Sequence, residues 1–529
     1  MPRCLLDQPR MKRIGAQALG LGLLLMLAWL PAACTRDGEA DDAASAADTL
    51  VVLLEAAPKT LDPLLATDAY GVRISHHLIF DTLLRQNEQL RIVPGIAESW
   101  KRPEPTRYRF TLKAGARFHD GSPLTADDVV YTLTSLMDPA LGSPYGAGLR
   151  DKISGVRADG PLTVVVELNA PYAAFLGDLV VPIRSRAAGR EHPLRGSGPY
   201  RLVRQSPGEI ELAAVADYHG RAPGVPRLLF KVVKDANTRL LKLRKGNVDL
   251  AINALPLDKI SQFREGELAA QYRLVEAPGL SYQYLGFNTT DPMLSDVRVR
   301  RALAHAIDID GLIEHRQFGH AVRAVSMLPP DSPFAVLGLS PIAHDPARAR
   351  ELLDAAGYPP GEDGRRFTLT YKTTTDHAAV LQARVIQHDL EQVGVTLNVR
   401  SFEWGTFYED IQKGNVQLFS LRWIGVSDPD FYYELFHSSR MPPAGRNRVR
   451  YSTPALDRLL ARGRLAVDEA QRREIYRQVQ VLLAESLPYL SLWHNNNIAI
   501  VSRRVQGFRL HPAGGFEYLP QARLTAAPR

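Results

Sequence analysis

Apolar and polar positions divide the chain into an uncharged leader and a long body of mixed strands and helices. Ile14 to Leu30, IGAQALGLGLLLMLAWL, carries no charge, follows the basic head MKR (Met11–Arg13) and is stopped by Pro31, Ala32 and Ala33. A basic head, an apolar run and small residues before a processing point describe a cleaved export signal over residues 1–33, for which Met11 serves as well as Met1 as a start. The run is near the shortest length that spans a bilayer. Residues 34–48 include the low-complexity stretch DGEADDAASAAD and read as a flexible tether. The body opens at Thr49–Leu54, whose continuous apolar run predicts a buried strand, broken by PKTLDP. Alternation around Gly115 predicts a hairpin arm over Tyr108–Phe118, and LTVVVEL (Leu162–Leu168) predicts another strand.

Helical periodicity appears between these strands. Thr125 is placed to cap a helix with Asp127 and Asp128 in its first turn and Val129, Leu133 and Leu136 on one face. Asp296 caps a second, with Val299, Leu303 and Ile307 at helical spacing; its RVRR run (Arg298–Arg301) reads as a solvated face. Asp345-Pro346 open a third that Gly357 closes, and a last long helix starts near Glu469. One unit recurs. LLKLRKGNVDLAI (Leu240–Ile252) and YEDIQKGNVQLFS (Tyr408–Ser420) each predict a helix, a glycine just past its end and a strand. The pattern fits two α/β lobes, each with its own sheet.

Composition narrows the function classes. The 529 residues carry +7, of which residues 1–33 account for +3 through Arg3, Arg10, Lys12 and Arg13 against Asp7. The remaining charge is too mild and too evenly spread for a nucleic-acid partner. The only cysteines are Cys4 and Cys34, so the body past the leader forms no disulfide. The fourteen histidines, among them His76-His77, His315, His320 and His437, show no HExxH-type spacing, and no GxSxG elbow is present. No metal, cofactor or catalytic residue is therefore expected. His119-Asp120 reads as part of a turn before the Thr125 helix, and GSGPY (Gly196–Tyr200) as a tight turn where the chain crosses between lobes.

Eight phrases then occur in order: TLDPL (Thr60–Leu64), IFDTLLR (Ile79–Arg85), PGIAESW (Pro94–Trp100), YRFTLKAGARFHDGSPLTADDVVYTL (Tyr108–Leu133), GSGPYRL (Gly196–Leu202), LRKGNVDLA (Leu243–Ala251), GFNTTDPMLSDVRVRRALAHAID (Gly286–Asp308) and ARELLDAAGY (Ala349–Tyr358). Together they resemble the family 5 extracellular solute-binding proteins, the peptide- and nickel-binding receptors of bacterial ABC importers. The resemblance implies an α/β, two-lobed periplasmic-binding-protein clamshell (type II, cluster C-like) with an extra subdomain in the first lobe. Lobe I would comprise residues 50–69, 200–284 and 496–529, the inserted subdomain 70–199, and lobe II 285–494. Tyr284–Asn288 and Tyr489–Asn496 would be the hinge strands. The implied function is non-enzymatic: a monomeric receptor in the periplasm or cell envelope captures peptides or peptide-like solutes and delivers them to a membrane permease. An oligosaccharide, opine or metal chelate is the alternative cargo, and an envelope hydrolase the alternative class. Cys34, after Ala32-Ala33, resembles a lipobox cysteine and so implies a lipid anchor; Pro31 departs from the usual aliphatic residue three before it, with Leu30 one further back.

The resemblance also points to a cleft. LRWIGVSDPDFYY (Leu421–Tyr433) matches the stretch that lines it in the peptide receptors, where a tryptophan is followed three residues later by an acid that pairs with the peptide amine. Trp423 matches the tryptophan, but the acid's place, just after Gly425, is taken by Val426. Asp428 is the candidate replacement, while Asp430 reads as a turn and helix start. Trp404 matches an aromatic pocket wall, Trp493 is expected to face the cleft from a hinge strand, and Tyr70 to stand at its rim. Glu55 to Ala57 is placed for backbone pairing with a ligand. Arg422 either faces solvent or meets a ligand carboxylate. Trp423→Ala is expected to weaken binding without disturbing the fold.

Overall fold

The computed structural model describes residues 48–525. The leader, Cys34 and most of the tether lie outside the described residues.

One mixed sheet organises the body. Its eleven strands, in chain order, are β1 (Thr49–Leu54), β2 (Tyr200–Gln205), β3 (Glu209–Ala214), β4 (Arg227–Val232), β5 (Leu250–Ile252), β6 (Tyr272–Phe287), β7 (Ala321–Arg323), β8 (Phe367–Thr374), β9 (Val395–Phe402), β10 (Leu418–Ile424) and β11 (Tyr489–Ser502). In space the order is β9-β8-β10-β6-β11-β5-β1-β4-β3-β2, with β7 on β11. β1 runs parallel to β4 and β5 in one half, and β8 runs parallel to β9 and β10 in the other. Only β6 and β11 belong to both halves. They pair with each other from Tyr272↔Ser502 to Gly286↔Tyr489, with a register shift between Pro278 and Ser281.

Separate cores flank the two halves. Leu50, Val52, Phe230 and Val501 lie in one first-half core, and Leu53, Ile260 and Phe263 in another. The second half is covered on both faces: Phe287, Leu303, Leu369 and Ile386 pack on one side, Tyr284, Phe419, Leu460 and Tyr476 on the other. Parallel sheets are stable in this form because helices cover both faces. β11 meets β7 over Trp493–Asn495 and β5 over Ala499–Val501, whereas β6 meets β10 from Ser281 onward. The crossing therefore falls at about residues 277–280 and 495–498. Tyr284, further along β6, packs in a second-half core.

A separate four-stranded antiparallel sheet, Ala97–Glu104, Arg107–Leu112, Thr163–Leu168 and Ile153–Ala158, forms the body of the 70–199 region. Arg107–Leu112 pairs with the strand before it rather than hairpinning through Gly115. Helix Ala126–Met137 buries Val129, Leu133 and Leu136 against this sheet; the Asp128 carboxylate accepts from the Thr125 amide at 2.8 Å and its hydroxyl at 3.0 Å. His119 donates from Nε2 to the Gly198 carbonyl, and Asp120 is held by Ser122 and Arg195. The GSGPY turn needs its glycines for close approach: a Cβ on Gly196 would lie 1.9 Å from the Ile79 carbonyl oxygen.

Both recurrent units form as predicted. Helix Ala236–Arg244 ends near Gly246 (φ 67°) and leads into β5; helix Trp404–Lys413 ends at Gly414 (φ 79°) and leads into β10. Each delivers a strand beside a crossing strand. The RVRR run is not wholly solvated: Arg300 is buried, donating to the carbonyls of Leu294, Ser295, Ser486 and Leu487.

Candidate ligand-binding cleft

The two parallel groups aim their carboxyl ends at the crossing from opposite sides. Beyond β5, the Asn253 amide donates to the Ile498 carbonyl; beyond β10, the Gly425 amide donates to the Leu280 carbonyl. β8 and β9 run parallel to β10 and end at Thr374 and Phe402. In open α/β sheets ligands bind outside the carboxyl ends of strands. That rule selects Glu55–Ala57 and Asn253 on one side, and Glu403–Trp404 and Ile424–Gly425 on the other.

The sequence-selected residues divide between this zone and the cores. Glu55 and Ala57 are exposed just past β1. The Glu55 carboxylate stands 4.0 Å from Arg239, and its amide donates to the Tyr70 hydroxyl at 3.4 Å. Tyr70 itself is buried in a first-half core, and burial together with the Glu55 charge raises its pKa. Trp404 opens helix Trp404–Lys413 and is 53% exposed, stacked on Tyr408 at 5.6 Å. Arg422 is exposed, on the strand face opposite Trp423. Gly425 is exposed with φ 76°, and Val426 is buried.

Two tryptophans sit elsewhere than expected. Trp423 is 7% exposed, stacked parallel to Tyr284 at 6.1 Å and edge-on to Phe431 at 5.5 Å. Trp493 is 1% exposed in the core on the other face of the sheet. Removing the Trp423 ring would therefore empty a core site, contrary to the expectation of an undisturbed fold.

Asp428 and Asp430 are both engaged. Arg472 donates to the two Asp428 oxygens at 2.6 and 3.0 Å, and this bidentate pair holds Arg472 above its ordinary pKa although burial opposes the charge. Asp430 is buried and accepts from Arg464 Nε at 3.2 Å, from Arg464 Nη2 at 3.0 Å and from the Tyr172 hydroxyl at 2.9 Å. Arg464 also lies 3.8 Å over the Tyr433 ring and reaches Glu434 at 2.9 Å. Burial and the Asp430 charge both raise the Tyr172 pKa. Tyr172 belongs to the 70–199 region, so this network joins that region to the second half. Sequence reading missed Arg464, Arg472 and Tyr172. Arg464 and Arg472 lie 34 and 44 residues from their partners and Tyr172 lies 258 away. Nothing local marks them.

Two half-sheets joined by two crossing strands, with strand ends converging on the junction, define a two-lobed solute-binding protein. The chain is a member of the family described as bacterial extracellular solute-binding proteins, family 5: residues 91–442 match that family's middle region. It is 29% identical over 504 residues to the probable di/tripeptide-binding protein 5 of Pseudomonas aeruginosa (strain UCBPP-PA14), covering 89% of this chain and 94% of that one. It is 31% identical over 495 residues to Protein XP55 of Streptomyces lividans, covering 88% and 87%. Among solved structures, HbpA2 from Haemophilus parasuis matches with a TM-score of 0.81 and 26% identity over 90% of this chain and 100% of that one.

Proposed function

We propose that this protein is the receptor of an ABC importer, holding a short peptide or peptide-like solute between its lobes and passing it to a membrane permease. The observation that carries this is the convergence of both sets of parallel strand ends on the β6–β11 crossing, which makes one zone accessible to a ligand from both lobes. The di/tripeptide-binding relative supports peptide as the cargo. In this reading Glu55–Ala57 and Trp404 contact the ligand, with Ile424–Gly425 as part of the floor. Binding, not chemistry, is the task. A lipid on Cys34 would hold the receptor, as a monomer, at the envelope membrane; about 0.8 kcal/mol per buried CH₂ would support that anchorage.

One observation favours a second cargo class. Val426 offers no charge, and Arg472 already neutralises Asp428. A ligand without a free amine suits that arrangement better than an ordinary peptide. Native mass spectrometry of the full chain, followed by denaturation and identification of what is released, separates the readings. A ladder of short peptides supports the peptide receptor; a single non-peptide mass refutes it in favour of the second class.

A further inference from the structure

Six arginines are buried among the described residues: Arg184, Arg239, Arg300, Arg448, Arg472 and Arg504. Four face a carboxylate: Arg184 at Asp62, Arg472 at Asp428, Arg504 at Asp249 and, at 4.0 Å, Arg239 at Glu55. Two are saturated by main-chain oxygens: Arg239 by Val233, Lys234 and Ala254, and Arg300 by the four carbonyls given above. Arg448 has neither. Its Nη2 donates to the Tyr408 hydroxyl at 3.2 Å, and its Nε is buried without a partner. The guanidinium lies 4.3 Å over the Trp423 ring and 5.1 Å over that of Tyr408.

Ring faces attract a cation but accept none of its in-plane N–H bonds. An arginine stays protonated in proteins, and a buried charge without a counter-charge is costly. The surroundings share the deficit. Trp423 Nε1, Tyr284 Oη and Tyr489 Oη are buried with no partner in good hydrogen-bond geometry beyond one another and the guanidinium, and Tyr284 stacks on both Trp423 and Tyr489, the latter at 4.0 Å. Water could satisfy the hydroxyls and the indole N–H but leaves the charge uncompensated. A single planar anion with two acceptor oxygens meets both needs.

The position suits a ligand group. Tyr408 is one helical turn behind the half-exposed Trp404, which stacks on it, and Trp423 is one residue before Ile424, the exposed end of β10. Trp404, Tyr408, Arg448 and Trp423 thus form one stack whose outer end lies at the strand ends facing the cleft. We infer that Arg448 is a specificity residue of this receptor, taking a carboxylate of the bound solute. This rests on the cleft described under Proposed function but not on the cargo being a peptide.

Acetate, a minimal carboxylate, is the probe. It is titrated at constant ionic strength into the full-length wild-type chain, Arg448→Gln and Arg448→Lys, following tryptophan fluorescence and melting temperature. Wild type should show a saturable signal. Arg448→Gln should bind at least tenfold more weakly, and Arg448→Lys should fall between, since an ammonium lacks the planar fork. Without acetate, Arg448→Gln should melt no lower than wild type, because it removes an uncompensated charge. A saturable signal equal in wild type and Arg448→Gln, no signal in wild type, or a Gln variant that melts lower would each overturn the inference. Trialanine and its C-terminal amide then locate the carboxylate. Preference for the free acid, lost in Arg448→Gln, assigns it to a peptide terminus. Acetate binding with neither tripeptide bound refutes the peptide cargo while upholding Arg448.

Discussion

Tyr172 is where the 70–199 region touches the second lobe, and its hydroxyl offers a clean perturbation. It donates to Asp430 at 2.9 Å, and the next amide, Ala173, donates to the Arg464 carbonyl at 2.9 Å. Tyr172→Phe deletes the first bond and leaves the second. A hydrogen bond to a charged group contributes about 1.5–3 kcal/mol. Tyr172 is only partly buried and Asp430 keeps Arg464, so the lower figure applies. About 1.5 kcal/mol is roughly a tenfold change in an equilibrium constant. Because the bond links two bodies, the loss should fall on the balance between approached and separated lobes, not on the folding of either. Distances between probes on the exposed Ser154 and Glu469 should shift toward separation by about that factor, with a melting temperature close to wild type. An unchanged distance distribution would refute the reasoning, since the bond would then restrain nothing. Asp430→Asn should be harsher, because it removes the buried carboxylate that Arg464 and Tyr172 share and leaves Arg464 only Glu434.

Further outcomes follow from burial and contact. Trp404→Ala should change stability by less than about 0.5 kcal/mol while weakening ligand binding, whereas Trp423→Ala should cost about 3–5 kcal/mol in chemical denaturation. His494 is buried, with Nε2 against the Ser326 carbonyl; burial lowers its pKa from 6.5 to about 4. The unfolded chain therefore binds the proton first, so stability is full above pH 6.5 and falls by up to about 3 kcal/mol as pH drops toward 4. His494→Gln should flatten that slope in urea titrations at pH 7 and pH 5, and an unchanged slope would exclude this histidine as its source. Gly196→Ala should destabilise by several kcal/mol, because the new methyl meets the Ile79 carbonyl head-on; a melting curve like wild type would show that the turn relaxes freely.

Much of the scaffold was legible because it is written in local signals. The two KGNV units, the Thr125, Asp296 and Asp345 helix starts and the β1 run all depend on residues within a few positions of each other, and all appear in the structure. Placement across the chain was not legible. Arg472 meets Asp428, Tyr172 meets Asp430, and Arg448 lies over Trp423, but in each case the partners come from separate elements. Where β6 passes from one half-sheet to the other was not legible, because it depends on which neighbour a long strand has at each point, and no local signal gives that.

The tryptophans show why a cleft is harder to read than a core. Where only one face of a sheet is packed, alternation separates inside from outside. The second lobe is covered on both faces, so Trp423 and Trp493 point to opposite sides and both end in core. Alternation along β10 or β11 therefore carries no information about the ligand. Only strand ends escape this coverage, and there the exposure returns: Glu55–Ala57 after β1, Trp404 just past β9, Ile424 and Gly425 at the end of β10. The same reasoning makes Arg448 the exception of interest. Buried behind a strand end, it is among the described residues the one buried arginine with neither a carboxylate nor main-chain oxygens on its guanidinium, which is why the inference falls on it.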